Sequence, residues 1–133
     1  MKFDAKVEEL DNVIGYIESK MEESGAPMKA VMQVTVAAEE MFVNIAHYAY
    51  GSDEAEGYAL VEVEQPEENT VSIRFVDEGV MFNPLKKADP DVTRSAEDRN
   101  IGGLGIYMVK KTMDSVDYVR EDGKNIFTMC KKW

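Results

Sequence analysis

Between Gln33 and His47 the chain carries a helical apolar pattern crossed by a polar seam, a combination that few folds accommodate. Val31, Val34, Ala38, Met41, Phe42, Ile45 and Tyr48 recur at helical spacing, and Met32, Val36 and Val43 cover much of the remaining circumference. A helix apolar on nearly every side belongs in the middle of a domain. Gln33, Ala37, Glu40, Asn44 and His47 nevertheless step along one line of it at helical intervals. A carboxylate and an amide one turn apart, facing inward, must meet something polar, because burying them unpaired is costly. Taken alone, this helix fits a structural network tied to a loop as well as it fits a polar ligand.

The 133 residues are the size of one ordinary domain, so a single domain over 1–133 with one core is expected. The apolar fraction of 44% is that of a globular protein, and the longest apolar runs fall well short of a membrane span. Met1-Lys2-Phe3-Asp4 lacks the apolar region of a signal peptide. One cysteine, Cys130, cannot form an internal bridge, which points to a reducing cytoplasm and to a small buried hydrophobe in a strand. With one histidine and no cysteine cluster, a zinc site is not expected. The net charge of −11 without a basic stripe argues against nucleic acid or an anionic membrane as the main partner.

The period changes along the chain. Leu10, Val13, Ile14, Ile17 and Met21 make the buried stripe of a helix from about Val7 to Glu23, with Asp4 a plausible cap and Gly25 a stop. Pro27 opens the seamed helix, which runs to about Ala49. Lys2 to Ala5 fits a short edge strand. After the Gly51 to Gly57 loop, Ala59, Val61 and Val63 alternate with Leu60, Glu62 and Glu64, and Val71, Ile73 and Phe75 with Ser72 and Arg74. Pro66-Glu67-Glu68-Asn69 joins them as a hairpin turn, and Asp122-Gly123-Lys124-Asn125 closes a second hairpin between Val116–Arg120 and Ile126–Cys130. Gly105 to Met113 reads as a helix with Ile106, Val109 and Met113 on one face. Helices first and hairpins later give an α+β two-layer sandwich, a mixed or mostly antiparallel sheet with helices on one face.

Leu85 to Asn100 fits no element: it is polar, contains a proline and has no sustained period. Connections this long are usually functional or disordered. It lies between two glycine-bearing motifs, where a mobile lid over a ligand would sit. The first motif, Asp77-Glu78-Gly79-Val80-Met81-Phe82-Asn83-Pro84, follows a strand, and its carboxylate can accept from an amine edge such as that of adenine. The second, Gly102-Gly103-Leu104-Gly105, stands before a helix, where backbone N–H groups and the helix dipole favour phosphate. Either alone also fits an ordinary tight turn. Neither is a P-loop or a dinucleotide fingerprint.

In this order, Glu40-x-x-x-Asn44, Asp77-x-Gly79-x-x-Phe82-Asn83-Pro84, a polar lid and Gly103-Leu104-Gly105-Ile106 resemble the N, G1 and G2 boxes of the Bergerat-fold (GHKL) ATPases, which include gyrases and sensor histidine kinases. The chain is most similar to the bacterial anti-sigma-factor serine/threonine kinases, over its whole length. The resemblance implies that Asn44 binds Mg²⁺, that Glu40 is the general base, that Asp77 reads adenine with Gly79 allowing close approach, and that Gly103, Leu104 and Gly105 cradle the phosphates of ATP. Phe82, Gly102 and Arg99, the lid cation nearest the glycine box, are further nucleotide-contact candidates. Two positions depart from the pattern. Asn125 stands near the place of a Thr that braces the adenine-reading Asp, and His47 lies three residues after Asn44, on the nucleotide-facing line, where the family carries its His four after; both are nucleotide-contact candidates as well.

The implied activity is phosphoryl transfer from Mg-ATP to a serine on a small anti-anti-sigma protein, with sequestration of a sigma factor set by nucleotide state, in a cytoplasmic homodimer regulating transcription. A nucleotide-dependent binding switch, a slow ATPase and a stand-alone histidine kinase catalytic domain are the alternatives. The last is disfavoured by the lack of room for a phosphoacceptor domain.

Overall fold

The computed structural model describes residues 1–51, 56–86 and 101–133, with 101–104 described by their backbone. Positions 52–55 of the Gly51–Gly57 loop and 87–100 of the expected lid, Arg99 included, lie outside the described residues. The order of elements is β1 (Lys2–Asp4), α1 (Leu10–Glu23), α2 (Met28–Asn44), β2 (Tyr58–Glu64), β3 (Thr70–Asp77), α3 (Ile101–Thr112), β4 (Ser115–Glu121) and β5 (Lys124–Lys132). The strands form one sheet in the order β1-β2-β3-β5-β4, and every pairing in it is antiparallel. The expected α+β sandwich is thus present, with an antiparallel sheet where a mixed one was also allowed.

Strand alternation decides which face is covered. Ala59, Val61, Ile73, Phe75, Phe127 and Met129 are buried and share one core with Val13, Ile17, Met21, Val34, Phe42 and Val109 of the helices. The opposite face carries Glu62, Arg74, Thr128 and Asp117 in one cross-strand row, with Glu62 and Arg74 paired as ions. Cys130 lies in β5 as expected but is half-buried, because it falls on the side of the strand opposite the buried Met129.

Local chemistry sets most boundaries. Gly25 takes the left-handed φ of +80° that ends α1. Asp122 and Gly123, at φ 52° and 76°, make the two-residue turn that matches the twist of the β4–β5 hairpin. Asp4 does not cap α1: it is the last residue of β1, paired with Tyr58, and a 3₁₀ turn over Val7–Glu9 leads into the helix instead. Pro27 stands one residue before the first turn of α2. Beyond Asn44 the long helix widens into a π-turn over Ile45–Ala49, an irregularity that often marks functional sites. Helix α3 begins at Ile101, so the glycine box forms its first turn instead of preceding it.

The expectation that α2 is covered on nearly all sides is corrected. The sheet, α1 and α3 cover the side bearing Val34, Ala38, Met41 and Phe42, while Met28, Met32 and Val36 are 78%, 61% and 59% exposed. Tyr48 is also exposed. The helix is amphipathic by position, with apolar side chains on its solvent side as well. Removing Phe42, fully buried at the centre, is expected to cost about 3–5 kcal/mol as Phe42→Ala, whereas Val36→Ser should change stability by no more than about 0.5 kcal/mol. Urea unfolding of the two variants checks this, and a large loss in Val36→Ser would show that the exposed side of α2 is packed.

Candidate functional site

Strand β3 runs inward and ends on a carboxylate. Asp77 is 4% exposed, and its Oδ1 accepts the Gly79 N–H at 2.9 Å and the Asn125 Nδ2 at 2.9 Å. Both bonds end on Oδ1, and Oδ2 accepts none among the described residues. Burial pushes the Asp77 carboxyl above its ordinary value of 3.8, opposed by the bonds from Asn125 and Gly79 and by the nearby Arg120 charge. The turn after Asp77 is fastened on both sides. Arg120 donates to the Gly79 carbonyl at 2.9 Å, and the Val80 N–H donates to Ala49 at the end of the π-turn at 2.7 Å. A Cβ at Gly79 would collide with that Ala49 carbonyl, so this close approach requires glycine. Tyr50 completes the joint: its hydroxyl accepts from the Glu78 N–H at 3.0 Å and donates to the Tyr58 carbonyl at 2.6 Å.

Asp77 lines a narrow cleft between α2 and the sheet. Met41, Ile45, Ala49, Phe75, Phe82, Pro84 and Phe127 form its apolar walls, and Asp77, Asn125, Tyr118 and Asn44 supply its polar groups. A mostly apolar slot with a few convergent polar atoms is the usual form of a small-molecule site. Phe82 lies against Tyr48, with ring centroids 6.4 Å apart.

Asn44 reaches the cleft from the last turn of α2, and Glu40 lies one turn earlier on the same line. Glu40 is half-buried against α3: a Cβ at Gly105 would overlap its Oε2. Glycine at 105 therefore admits the Glu40 carboxylate to the first turns of α3. The first four N–H groups of that helix belong to Ile101–Leu104 and have no partner within it. At Glu40 the polar seam of α2 thus lies against the first turns of a second helix, near its positive end.

Of the residues singled out from the sequence, the structure brings Asn44, Asp77, Phe82 and Asn125 to the cleft, Gly79 to its rim, and Glu40 against Gly105. Gly102, Gly103 and Leu104 lie in the opening turn of α3. His47 is exposed and is not among the cleft-lining residues, because the π-turn shifts it from the line through Glu40 and Asn44. Sequence reasoning missed Tyr118 and Arg120. Strand alternation was the available signal, since both share a face with Asn125 in the neighbouring strand.

The chain matches the model of the histidine kinase-like ATPase domain family over residues 3–131 and belongs to that family. Among curated proteins it is similar to the serine/threonine-protein kinase BtrW of Bordetella bronchiseptica, 28% identical over 96 residues, covering 72% of this chain and 66% of that protein. It is also similar to the serine-protein kinase RsbW of Bacillus thuringiensis and of Bacillus anthracis, each 26% identical over 130 residues, covering 95% of this chain and 79% of the relative. Among the described residues no helix is long and apolar enough to cross a membrane.

Gly79→Ala is expected to cost about 1–3 kcal/mol, because the new methyl meets backbone at Ala49 and something must shift. Chemical denaturation measures it, and an unchanged midpoint would mean that the turn yields freely. The Asp77 carboxyl also predicts a pH dependence. Its folded value is raised, so its stabilising contribution is complete below the ordinary 3.8 and is lost as pH rises through the raised value. The stability of the wild type relative to Asp77→Asn should therefore fall over that window and stay flat above it. Unfolding curves of both proteins from about pH 3 to 7 test the sign. A relative stability that grows with pH would show that the partners outweigh the burial.

Proposed function

We propose that this chain binds Mg-ATP in the cleft below α2 and transfers the γ-phosphoryl group to a serine of a protein partner. The contact of Glu40 with Gly105 carries the reading, because it sets a carboxylate against the phosphate-favouring end of α3. The cleft supports it at the other end. Asp77 offers a free oxygen to an amine edge, and Phe75, Phe82 and Phe127 offer apolar contact to a purine ring. Glu40 accepts the proton of the attacking hydroxyl, while its neighbours hold the nucleotide in line for attack. Names of relatives support the transfer of phosphate to protein serine.

The donor set also fits magnesium. Asn44 lines the cleft with a neutral oxygen donor, and an ion held mainly by phosphates and water needs few ligands from the protein. Magnesium neutralises phosphate charge when bound; the chain orients that charge and keeps the base in place. Resemblance to the anti-sigma kinases supplies the partners: an anti-anti-sigma protein as phosphoacceptor and a sigma factor as sequestered client, acted on by a homodimer in the cytoplasm. The lid of residues 85–100 and Arg99 belong to this proposal as groups that close over the triphosphate.

Glu40→Gln should lower phosphoryl transfer by about 10²–10⁴-fold with nucleotide affinity largely retained, since glutamine keeps the shape but cannot take a proton. Gly105→Ala should leave stability nearly unchanged, because the displaced atoms are the end of a flexible side chain, yet lower transfer by moving that carboxylate. Labelled Mg-ATP with candidate antagonist proteins, and calorimetry for binding, test both. Acid-stable phosphoserine on the partner supports the kinase. Acid-labile phosphohistidine, or release of free phosphate alone, points to the other chemistries, and wild-type rates in Glu40→Gln remove Glu40 as the base.

A further inference from the structure

We propose that Tyr118 is a positioning residue of this site, acting through Asn125 to aim the free oxygen of Asp77 at the amine edge of an adenine. The inference rests on the reading of Asp77 as the base-recognising group and adds a residue that reading does not include. Tyr118 lies on edge strand β4 opposite Phe127, and its ring reaches diagonally toward the turn to Asn125, which is paired with Asp77 across β5 and β3. The Tyr118 hydroxyl donates to Asn125 Oδ1 at 2.5 Å, and the Phe82 N–H donates to the same oxygen at 3.3 Å. On its other side, Asn125 Nδ2 donates to Asp77 Oδ1 at 2.9 Å and to the Val80 carbonyl at 2.8 Å.

A side-chain amide has two donors on nitrogen and two lone pairs on oxygen, and here all four are used. Rotating the amide by half a turn would set its oxygen against a carboxylate and a carbonyl and its nitrogen against a backbone N–H. Asn125 is buried, so that mismatch is not relieved by bulk water. One orientation is therefore fixed, and in it the nitrogen always faces Asp77. The Tyr118 bond is the shortest of the four, while the Phe82 bond on the same oxygen is the longest. Without the hydroxyl, Oδ1 keeps only the long bond, and the amide is free to tilt. Asp77 Oδ1 then loses a fixed donor, the carboxylate can rotate, and Oδ2 no longer points steadily into the cleft.

A serine or threonine hydroxyl at position 125 would rotate to donate without outside help. An amide must be told which end is which: Asp77, the Val80 carbonyl and the Phe82 N–H do that here, and Tyr118 holds the amide firmly in that orientation. The consequence is specific. Loss of the hydroxyl should weaken recognition of the amine while leaving the apolar grip on the purine ring, because phenylalanine keeps the same wall.

Calorimetry of the full chain with ADP and with purine riboside diphosphate, which lacks the exocyclic amine, reads this directly. Wild type should prefer ADP. Tyr118→Phe should reduce that preference by about two- to tenfold, the worth of one hydrogen bond, with affinity for purine riboside diphosphate nearly unchanged. Asn125→Ala should reduce it at least as far, and adding Tyr118→Phe to Asn125→Ala should change it no further, since the tyrosine then has nothing to act through. Far-ultraviolet circular dichroism of each variant confirms that it is folded. Equal weakening of both nucleotides in Tyr118→Phe, no change in either, or multiplying effects in the double variant would each overturn the proposal. A wild type that does not distinguish the two nucleotides would instead overturn the reading of Asp77, before any variant is made.

Discussion

The buried carboxylate of Asp77 is the constraint around which the rest of the molecule is arranged. A charge that is 4% exposed is tolerable only where donors converge on it, and the chain supplies them from separate places: the Gly79 backbone one turn on, and the Asn125 amide from β5. Each of those donors is fixed in turn. Gly79 is held by Arg120 and by its approach to Ala49, and Asn125 by Tyr118, Phe82 and Val80. Among the described residues no side-chain nitrogen or oxygen wholly shut off from solvent lacks a partner. The end of β3, the β4–β5 hairpin and the far end of α2 are therefore one joint, and the cleft is the space it encloses.

Helix α2 links that joint to a second one. Its Val34, Ala38 and Phe42 side packs into the core against the sheet, which fixes the rotation of the helix about its axis. Once that rotation is fixed, Asn44 must enter the cleft and Glu40 must face α3. The π-turn at Ile45–Ala49 then alters the phase, bringing Ala49 beneath Gly79 and leaving His47 in solvent. Gly105 has the complementary role on α3, where any larger residue would occupy the place of the Glu40 carboxylate. The same helix thus supplies core packing and the polar line of the site, and these use different faces of it.

Much of this was legible in the sequence, and for local reasons. The stripe of α1, the two-residue turn at Asp122-Gly123, the stop at Gly25 and the alternation of β2 and β3 follow from side-chain period and from the φ values that glycine and asparagine or aspartate accept. Glu40 and Asn44 stood out as polar groups on an apolar face, whereas Asp77 and Gly79 fitted an ordinary turn as well until the order of the motifs and the family resemblance joined them. Asp4 misled because a capping residue and the end of an edge strand look alike until the partner strand is known. The exposed Met32 and Val36 misled because hydrophobicity alone does not say whether anything covers it.

The sequence by itself determined the elements and the class of the fold, since these depend on the period and turn residues of each short segment. Tertiary structure alone decided three things: that Glu40 meets Gly105, that Tyr118 meets Asn125 and Asn125 meets Asp77, and that Met28, Met32 and Val36 of α2 face solvent. Each is a contact, or the lack of one, between segments far apart in the chain. Such contacts depend on how far a helix has turned and on which strand lies beside which, and neither leaves a periodic mark in the order of residues.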